Sequence, residues 1–533
     1  MKTTLPNCLA SLFIIIAVSP LAGPGMPAAR AANELPRDLD ARIVQLSKKG
    51  TTVEEVIRAL GEPEQYLWGK KTFKKDTLPA TYILQYPKGL HVMVSDGLVS
   101  ELRSERPGPG FTWHGKLRLG SSLDEALQVL GPPTETVVGK PLVFAANVLY
   151  KDINGRKGYC YYSRPDQHVR LFFGNYMISA LYVMVDSHEG AEGFMAIRPI
   201  KEVKDYQDVR FKDLSKLDLS GRLGLPATLW FNQKTVWPAT MPVDATKLLT
   251  GAMNPGLGVR RLHAGGLTGK GVNVAIIDQP LYQDHPEFAG KIAAYHDVGC
   301  ESESSMHGPA VASLLVGTKC GTAPGAKLYF VAAPSWTADT AYQAKALDWI
   351  IEQNARLPAN EKIRVVSVSG APSGPGSPFK KNTDQWDPAC ERAEKAGILV
   401  LDCTQHHGFV GPCYYDASDS ENVAKCKAGF PSRPEMSAAK DLQSRRILVP
   451  CSPRTTAEEY TKGECGYQYC GQGGLSWSIP YCAGVLALGW EARPELTGPQ
   501  MRELLFKSAH KTDDDWLIIN PPEFIRSVKS YRD

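Results

Sequence analysis

The sequence predicts an α/β protein: a doubly wound, mostly parallel sheet in the C-terminal half, preceded by two small α+β repeats. Three observations carry this. From Gly256 onward, apolar runs of strand length alternate with amphipathic helical segments, the pattern of a parallel sheet with helices on both faces. Upstream, one helical segment with its own start and stop signals occurs twice, beginning at Gly50 and again at Gly120. The chain has 533 residues, too many for one ordinary core.

Taken in order, residues 1–31 read as a secretory signal. Lys2 gives the positive start, Leu9 to Val18 a short apolar core, and Ala29-Arg30-Ala31 a small-residue cleavage site. The apolar core is too short to span a bilayer, and no later run is long enough, so the expectation is an exported, soluble protein, extracellular or periplasmic. A hydrophobic content of 43% with 22% charged residues suits a folded globular chain. The net charge of +4 is mild, and no Lys/Arg block gives a reason to invoke nucleic acid. Of the 12 cysteines, Cys8 leaves with the signal, and eight of the rest crowd between Cys390 and Cys482. In an exported protein disulfides are the expectation, and the odd remainder leaves at least one thiol free or paired between chains.

The first repeat occupies residues 33–106 and the second 113–187. Thr52 with Glu55, and Ser122 with Glu125, have capping-box spacing. Val53, Val56, Ile57 and Leu60 share one helical face, and Leu123, Ala126, Leu127 and Leu130 repeat it. Gly61 with Pro63, and Gly131 with Pro132 and Pro133, end the helices. Tyr82–Tyr86, Leu90–Val94 and Leu98–Leu102 are strands in the first copy; Val169–Phe173 and Met177–Val185 are strands in the second. Each copy is thus expected to be a short helix on its own small antiparallel sheet. The pattern resembles the tandem repeats of β-lactamase inhibitory protein and of small outer-membrane assembly lipoproteins, and that resemblance implies a protein partner or a prodomain role. Residues 188–255 are expected as a connector, with Asp213–Leu219 alternating like an edge strand.

In the domain from 256 to 533, Val272–Ile277, Leu328–Ala332, Ile363–Val368 and Ile398–Leu401 are strands. Val311–Val316, Ala341–Gln353 and Ala389–Lys395 are helices. Three segments bring chemistry to this framework. Asp278 closes a buried strand, so its carboxylate emerges at the sheet edge where open α/β folds build sites. His307 heads an apolar helix. Ser476 follows Gly471, Gly473 and Gly474 at the head of another, with Pro480 expected in the tolerant first turn. A serine there meets free backbone N–H groups and the positive end of a helix dipole, which favour a nucleophile that generates an oxyanion. A serine hydroxyl needs a base to take its proton, and that base needs a carboxylate to fix its tautomer.

Asp278-Gln279-Pro280, His307-Gly308-Pro309-Ala310-Val311-Ala312-Ser313 and Gly474-Leu475-Ser476-Trp477-Ser478-Ile479-Pro480 resemble the three motifs of the subtilase family of serine peptidases, in the same Asp, His, Ser order. The resemblance covers about half the chain and implies a secreted endopeptidase that acts on polypeptides through an acyl-enzyme. It assigns Asp278 to orient the imidazole, His307 as base and acid, and Ser476 as nucleophile. Asp284 with His285, and Ser478, are the rival residues. Gln279, Pro280, Pro309 and Leu475 depart from the family pattern. The family's oxyanion-donating Asn is missing; counting from Gly397 puts His406 at its position, with Gln405 the chemical substitute. Ser367, Ser369 and Gly370 resemble the family strand that pairs with extended substrate. The departures define an alternative, an inactive subtilisin-fold module that binds protein. No cofactor is expected. Calcium is possible by family resemblance with no site identified, and Cys403, His406, His407, Cys413 and Cys426 match no standard zinc spacing.

Overall fold

The computed structural model describes residues 35–532, except 49, 69–70, 80, 96, 106–107, 114, 131–135, 138–139, 142–144, 152–156, 161, 165–168, 175–176, 185–196, 201, 242, 301–303, 405–407 and 434–444. The expected signal segment lies outside the described residues.

Both repeat helices form where their caps place them. α1 (Val53–Leu60) starts at Thr52, whose Oγ1 accepts the Glu55 amide while the Glu55 carboxylate accepts the Thr52 amide. α2 (Leu123–Leu130) starts the same way at Ser122 and Glu125. Each box satisfies two amides that a bare helix start leaves orphaned. The strands, however, do not form two small sheets. Strands β1 (Gln65–Trp68), β2 (Lys71–Phe73), β3 (Thr81–Gln85), β4 (Leu90–Ser95) and β5 (Leu98–Glu105) come from the first copy; β6 (Tyr162–Arg164), β7 (Val169–Gly174) and β8 (Met177–Met184) come from the second. All eight join one antiparallel sheet in the order β6-β7-β8-β5-β4-β3-β1-β2. The seam is β8 on β5, with Leu181 opposite Ser104 and Val183 opposite Leu102. One apolar cluster runs through both copies, from Val56 and Leu84 to Ala126 and Val183. A helix of eight residues over two or three strands buries too little alone; joined edge to edge, the copies share a core and hide an edge of each.

The expected connector is also corrected. Only Lys212–Asp213 is extended within Asp213–Leu219 and its approach; the rest runs through turns. β9 (Trp230–Asn232) pairs antiparallel with a strand near the C-terminus, β18 below. Phe231 stacks on Tyr469 with centroids 4.8 Å apart, and the buried Arg210 guanidinium lies 3.9 Å from the Trp230 ring centroid. Trp230 and Phe231 therefore anchor this stretch onto the C-terminal half.

That half is built on a five-stranded parallel sheet. β10 (Asn273–Asp278), β11 (Ile292–Asp297), β12 (Lys327–Ala332), β13 (Ile363–Val368) and β14 (Leu399–Leu401) lie in the order β11-β12-β10-β13-β14. β10 alternates between two cores. Val274 and Ile276 face the cluster containing α3 (His307–Val316), while Ala275 and Ile277 face that of α4 (Thr340–Arg356) and α5 (Trp386–Lys395). Helices thus cover both faces, as strands with apolar residues on both sides require. β15 (Val410–Tyr414) and β16 (Ile447–Ser452) pair in parallel in a second sheet. β17 (Arg454–Glu458) and β18 (Gly466–Cys470) form the hairpin that leads into α6 (Leu475–Ala492).

Candidate active site

Asp278 is the last residue of β10, and His307 is the first residue of α3. His307 Nδ1 lies 2.6 Å from Asp278 Oδ1, with the carboxylate side chain 5% exposed and the imidazole 20% exposed. A carboxylate only accepts, so the Nδ1 proton donates to it and Nε2 is left as the basic lone pair. Burial pushes the imidazole pKa down, but the Asp278 charge and hydrogen bond outweigh burial and leave it above its ordinary 6.5.

The local sequence explains how two distant residues hold this distance. Ser305 Oγ donates to the Pro280 carbonyl at 3.0 Å and accepts the Gly308 amide at 3.0 Å, so one buried hydroxyl ties the chain after Asp278 to the start of the His307 helix. Gly308 is obligatory there, because a Cβ would stand 2.1 Å from the Gln279 carbonyl oxygen. Pro309 falls in the first turn of α3, where a missing amide costs nothing. Gln279 Nε2 donates to Ser335 Oγ at 3.0 Å, so the departure after Asp278 has its own partner.

Ser476 is the second residue of α6, after Gly474 at the N-cap. The approach is tight: a Cβ on Gly471 would meet the Thr228 carbonyl carbon at 2.4 Å, and one on Gly473 the Cys451 oxygen at 2.2 Å. Trp477 is buried with its ring centroid 5.4 Å from that of His307, so the start of α6 lies beside the imidazole carried by α3. Ser476 Oγ donates to the Ser369 carbonyl at 3.1 Å, and no hydrogen bond to His307 stands among those of the described residues. Pro480 is the sixth residue of α6, not part of its first turn. Its missing N–H therefore frees the carbonyl four residues back, that of Ser476, and Ser369 Oγ donates to that oxygen at 2.9 Å.

The rivals are accounted for. His285 is fully buried with both nitrogens engaged, Nε2 with the Gly466 carbonyl at 3.0 Å and Nδ1 with the Glu287 amide at 3.2 Å. Asp284 is exposed. Ser478 is buried and donates to the Val449 carbonyl at 2.8 Å.

Ser367 does not line the site. It is buried within β13 and paired on both sides, with Ile276 and with Leu401, so its backbone has nothing left for an extended ligand. Ser369 and Gly370 lie past the end of β13, but their carbonyls are engaged, Ser369 by Ser476 Oγ and Gly370 by the Cys403 amide at 2.8 Å. Gln405 and His406, with His407, lie outside the described residues. Their flanks are pinned: Asp402 accepts Trp386 Nε1 at 2.8 Å and the Thr404 amide at 2.9 Å, while Arg446 Nη2 donates to the Thr404 carbonyl at 3.0 Å. Ser305, Ser369's hydroxyl role and Asp402 were not singled out from sequence. Only Ser305 had a signal, a serine three residues before Gly308 at a helix start.

Ten cysteines among the described residues carry free thiols, including all eight from Cys390 to Cys482, so the expected disulfides do not appear in this structure. Burial pushes the Cys403 and Cys482 thiols up, which makes them poor nucleophiles and poor metal ligands as they stand. Among the described residues no group of three or more His, Cys, Asp or Glu is placed to hold a metal, and no helix is long and apolar enough to cross a membrane.

The structure thus places a carboxylate at a parallel-strand end, a histidine bonded to it at a helix start and a serine in the first turn of a second helix. Residues 269–404 match the model of the subtilase family. The serine protease AprX of Bacillus subtilis (strain 168) is 27% identical over 299 residues, 47% of this chain and 63% of that protein. The subtilisin-like protease PopC of Myxococcus xanthus (strain DK1622) is 27% identical over 282 residues, 48% of this chain and 58% of that protein. The match thus spans less than two thirds of either relative. The solved structure of the prenylagaramide maturation protease PagA covers 52% of this chain and 99% of its own, at 17% identity and a TM-score of 0.39. The C-terminal half has an α/β fold with a parallel sheet, and its sequence similarity to the subtilase family and to these two relatives supports a subtilisin-like serine peptidase.

Proposed function

We propose that the protein is an exported serine endopeptidase that cleaves polypeptides through an acyl-enzyme, with Ser476 as nucleophile, His307 as base and acid, and Asp278 as the group that fixes the imidazole. The observation that carries this reading is the 2.6 Å Asp278–His307 contact beside the helix that presents Ser476. His307 Nε2 takes the Ser476 proton as Oγ attacks the scissile carbonyl, then returns it to the leaving amine; Asp278 stabilises the imidazolium between these steps. The Ser476 amide at the start of α6 supplies one oxyanion donor. His406 or Gln405 is the proposed second. Export rests on the N-terminal charge and apolar pattern, and a protein partner on the repeats. Disulfides within the 390–482 cluster belong to the same proposal, formed on oxidation of the thiols after export.

The test is a fluorophosphonate probe that labels only an activated serine, applied to wild type, Ser476→Ala and His307→Ala. Labelling of wild type alone supports the reading; equal labelling of Ser476→Ala ends it. A second reading, an inactive subtilisin-fold module that binds protein, is favoured by the Ser476 hydroxyl's bond to Ser369 instead of His307. A folded wild type that never labels, yet retains polypeptides, supports that one.

A further inference from the structure

Two hydrogen bonds join Ser369 and Ser476 in opposite senses. Ser369 Oγ donates to the Ser476 carbonyl at 2.9 Å, and Ser476 Oγ donates to the Ser369 carbonyl at 3.1 Å. The first bond answers a defect in the helix. In a regular helix the amide of residue 480 would reach the carbonyl of residue 476, but Pro480 has no amide, and its ring crowds that carbonyl. A partly buried carbonyl without a donor is costly, and this one belongs to the nucleophile itself. The donor comes from a rigid place. Ser369 is the first residue beyond β13, a central strand held by β10 on one side and β14 on the other. Its neighbour Gly370 is held by the Cys403 amide.

We propose that Ser369 is a positioning residue for the nucleophile: its hydroxyl replaces the amide that Pro480 lacks, and its carbonyl parks the Ser476 hydroxyl until a substrate draws it toward His307. The inference deepens the peptidase reading and rests on it for the second clause. The first clause concerns the helix alone. Exchanging the Ser369 carbonyl for His307 Nε2 trades one hydrogen bond for another, so the parked hydroxyl is held without being trapped. Removing the Ser369 hydroxyl leaves the Ser476 carbonyl bare, and α6 then settles the nucleophile elsewhere.

The experiment is a double-mutant cycle with Ser369→Ala, Pro480→Ala and the pair, with Ser369→Thr as the conservative control. Ser369→Ala is expected to slow fluorophosphonate labelling and kcat about tenfold with KM nearly unchanged, the scale of one orphaned acceptor. Ser369→Thr, which keeps a hydroxyl, is expected to stay within about threefold of wild type. In the Pro480→Ala background an amide again reaches the Ser476 carbonyl, so Ser369→Ala is expected to cost clearly less than it does alone. Amide exchange of the 475–480 peptide in the same four proteins reads the cycle without any need for activity. If wild type does not label, the peptidase reading fails, while a non-additive exchange cycle still supports the replaced amide. Additive effects in both readouts, or equal losses for Ser369→Ala and Ser369→Thr, overturn the inference.

Discussion

Glu458 gives the sharpest physical prediction about the hairpin that leads to Ser476. It is the last residue of β17 and 5% exposed. Asn232 Nδ2 donates to its Oε1 at 2.8 Å, and Oε2 is buried with no hydrogen-bond partner among the described residues. Arg210 is the nearby cation, but it spends its donors elsewhere: on Asp208 at 2.7 Å, Tyr460 at 2.6 Å and Gln468 at 2.8 Å. Burial therefore dominates over the pull of Arg210 and raises the Glu458 pKa from 4.5 to about 7. At about 1.4 kcal/mol per pH unit, the charged carboxylate is about 3 kcal/mol less favourable in the folded than in the unfolded chain. The sign follows from proton counts. Between pH 4.5 and 7 the folded state keeps a proton that the unfolded state has lost, so stability falls as pH rises through this window and levels off above it. Glu458→Gln keeps the shape without the charge and is expected to abolish this fall. The assay is amide exchange of the 454–470 hairpin from pH 4.5 to 8 in both proteins, corrected for intrinsic rates. The protection ratio of the variant over wild type is expected to grow by up to about two decades across the window. A ratio that stays flat, or that shrinks as pH rises, refutes the reasoning.

Three further outcomes follow from the same geometry. With the His307 pKa held above 6.5 by Asp278, the acid limb of kcat/KM is expected above pH 6.5, and Asp278→Asn is expected to move it down while cutting kcat by about 10⁴, as a tautomer-fixing carboxylate does; an unmoved limb argues that another group titrates. Ser305→Ala leaves the Gly308 amide and the Pro280 carbonyl without their shared partner, so a stability loss of about 1–3 kcal/mol in thermal unfolding is expected, with a kcat drop that Ser305→Thr largely restores. A chain started at residue 256 lacks β9 and the Thr228 wall against Gly471, and is expected to expose the β18 edge and lose labelling, whereas one started at 197 is expected to keep both; equal behaviour of the two counts against the role assigned to β9.

The sequence exposes most where one residue's chemistry leaves few choices. The parallel sheet is legible because strands buried on both faces are mostly apolar, and Val274–Ile277 and Val365–Val368, with Ser367 its one polar residue, satisfy that without help from distant residues. The capped helices are legible because Thr52 with Glu55 and Ser122 with Glu125 settle their own ends. The Asp278–His307 pair is legible because a strand end and a helix start fix where each side chain emerges. What stays hidden depends on pairing between segments far apart in the chain. Nothing local in Trp230–Asn232 says that its partner is Gly466–Cys470. Nothing in either repeat says that β5 will accept β8. Ser367 illustrates the same limit from the other side: its spacing suits an edge that meets substrate, but β14 closes that edge at Ser367 itself, two residues before Ser369.

The departures from the subtilase motifs also change meaning once their partners are visible. The replaced positions after Asp278 and His307 lie at junctions that are closed in another way. After Asp278, Gln279 bonds Ser335, and the Pro280 carbonyl takes Ser305. After His307, Pro309 needs no amide partner, and Gly308 lets the Asp278 loop come within contact of the helix. With these contacts in place the imidazole stays 2.6 Å from the carboxylate, so divergence in these motif positions is not by itself an argument for an inert site. The argument for inertness must rest on Ser476, whose hydroxyl faces the Ser369 carbonyl and not the base. A hydroxyl on a single rotatable bond crosses between such partners on the picosecond-to-nanosecond scale of side-chain motion. Catalysis is far slower than that. The resting bond therefore sets a population rather than a barrier, and the labelling measurement above tests whether the hydroxyl becomes reactive.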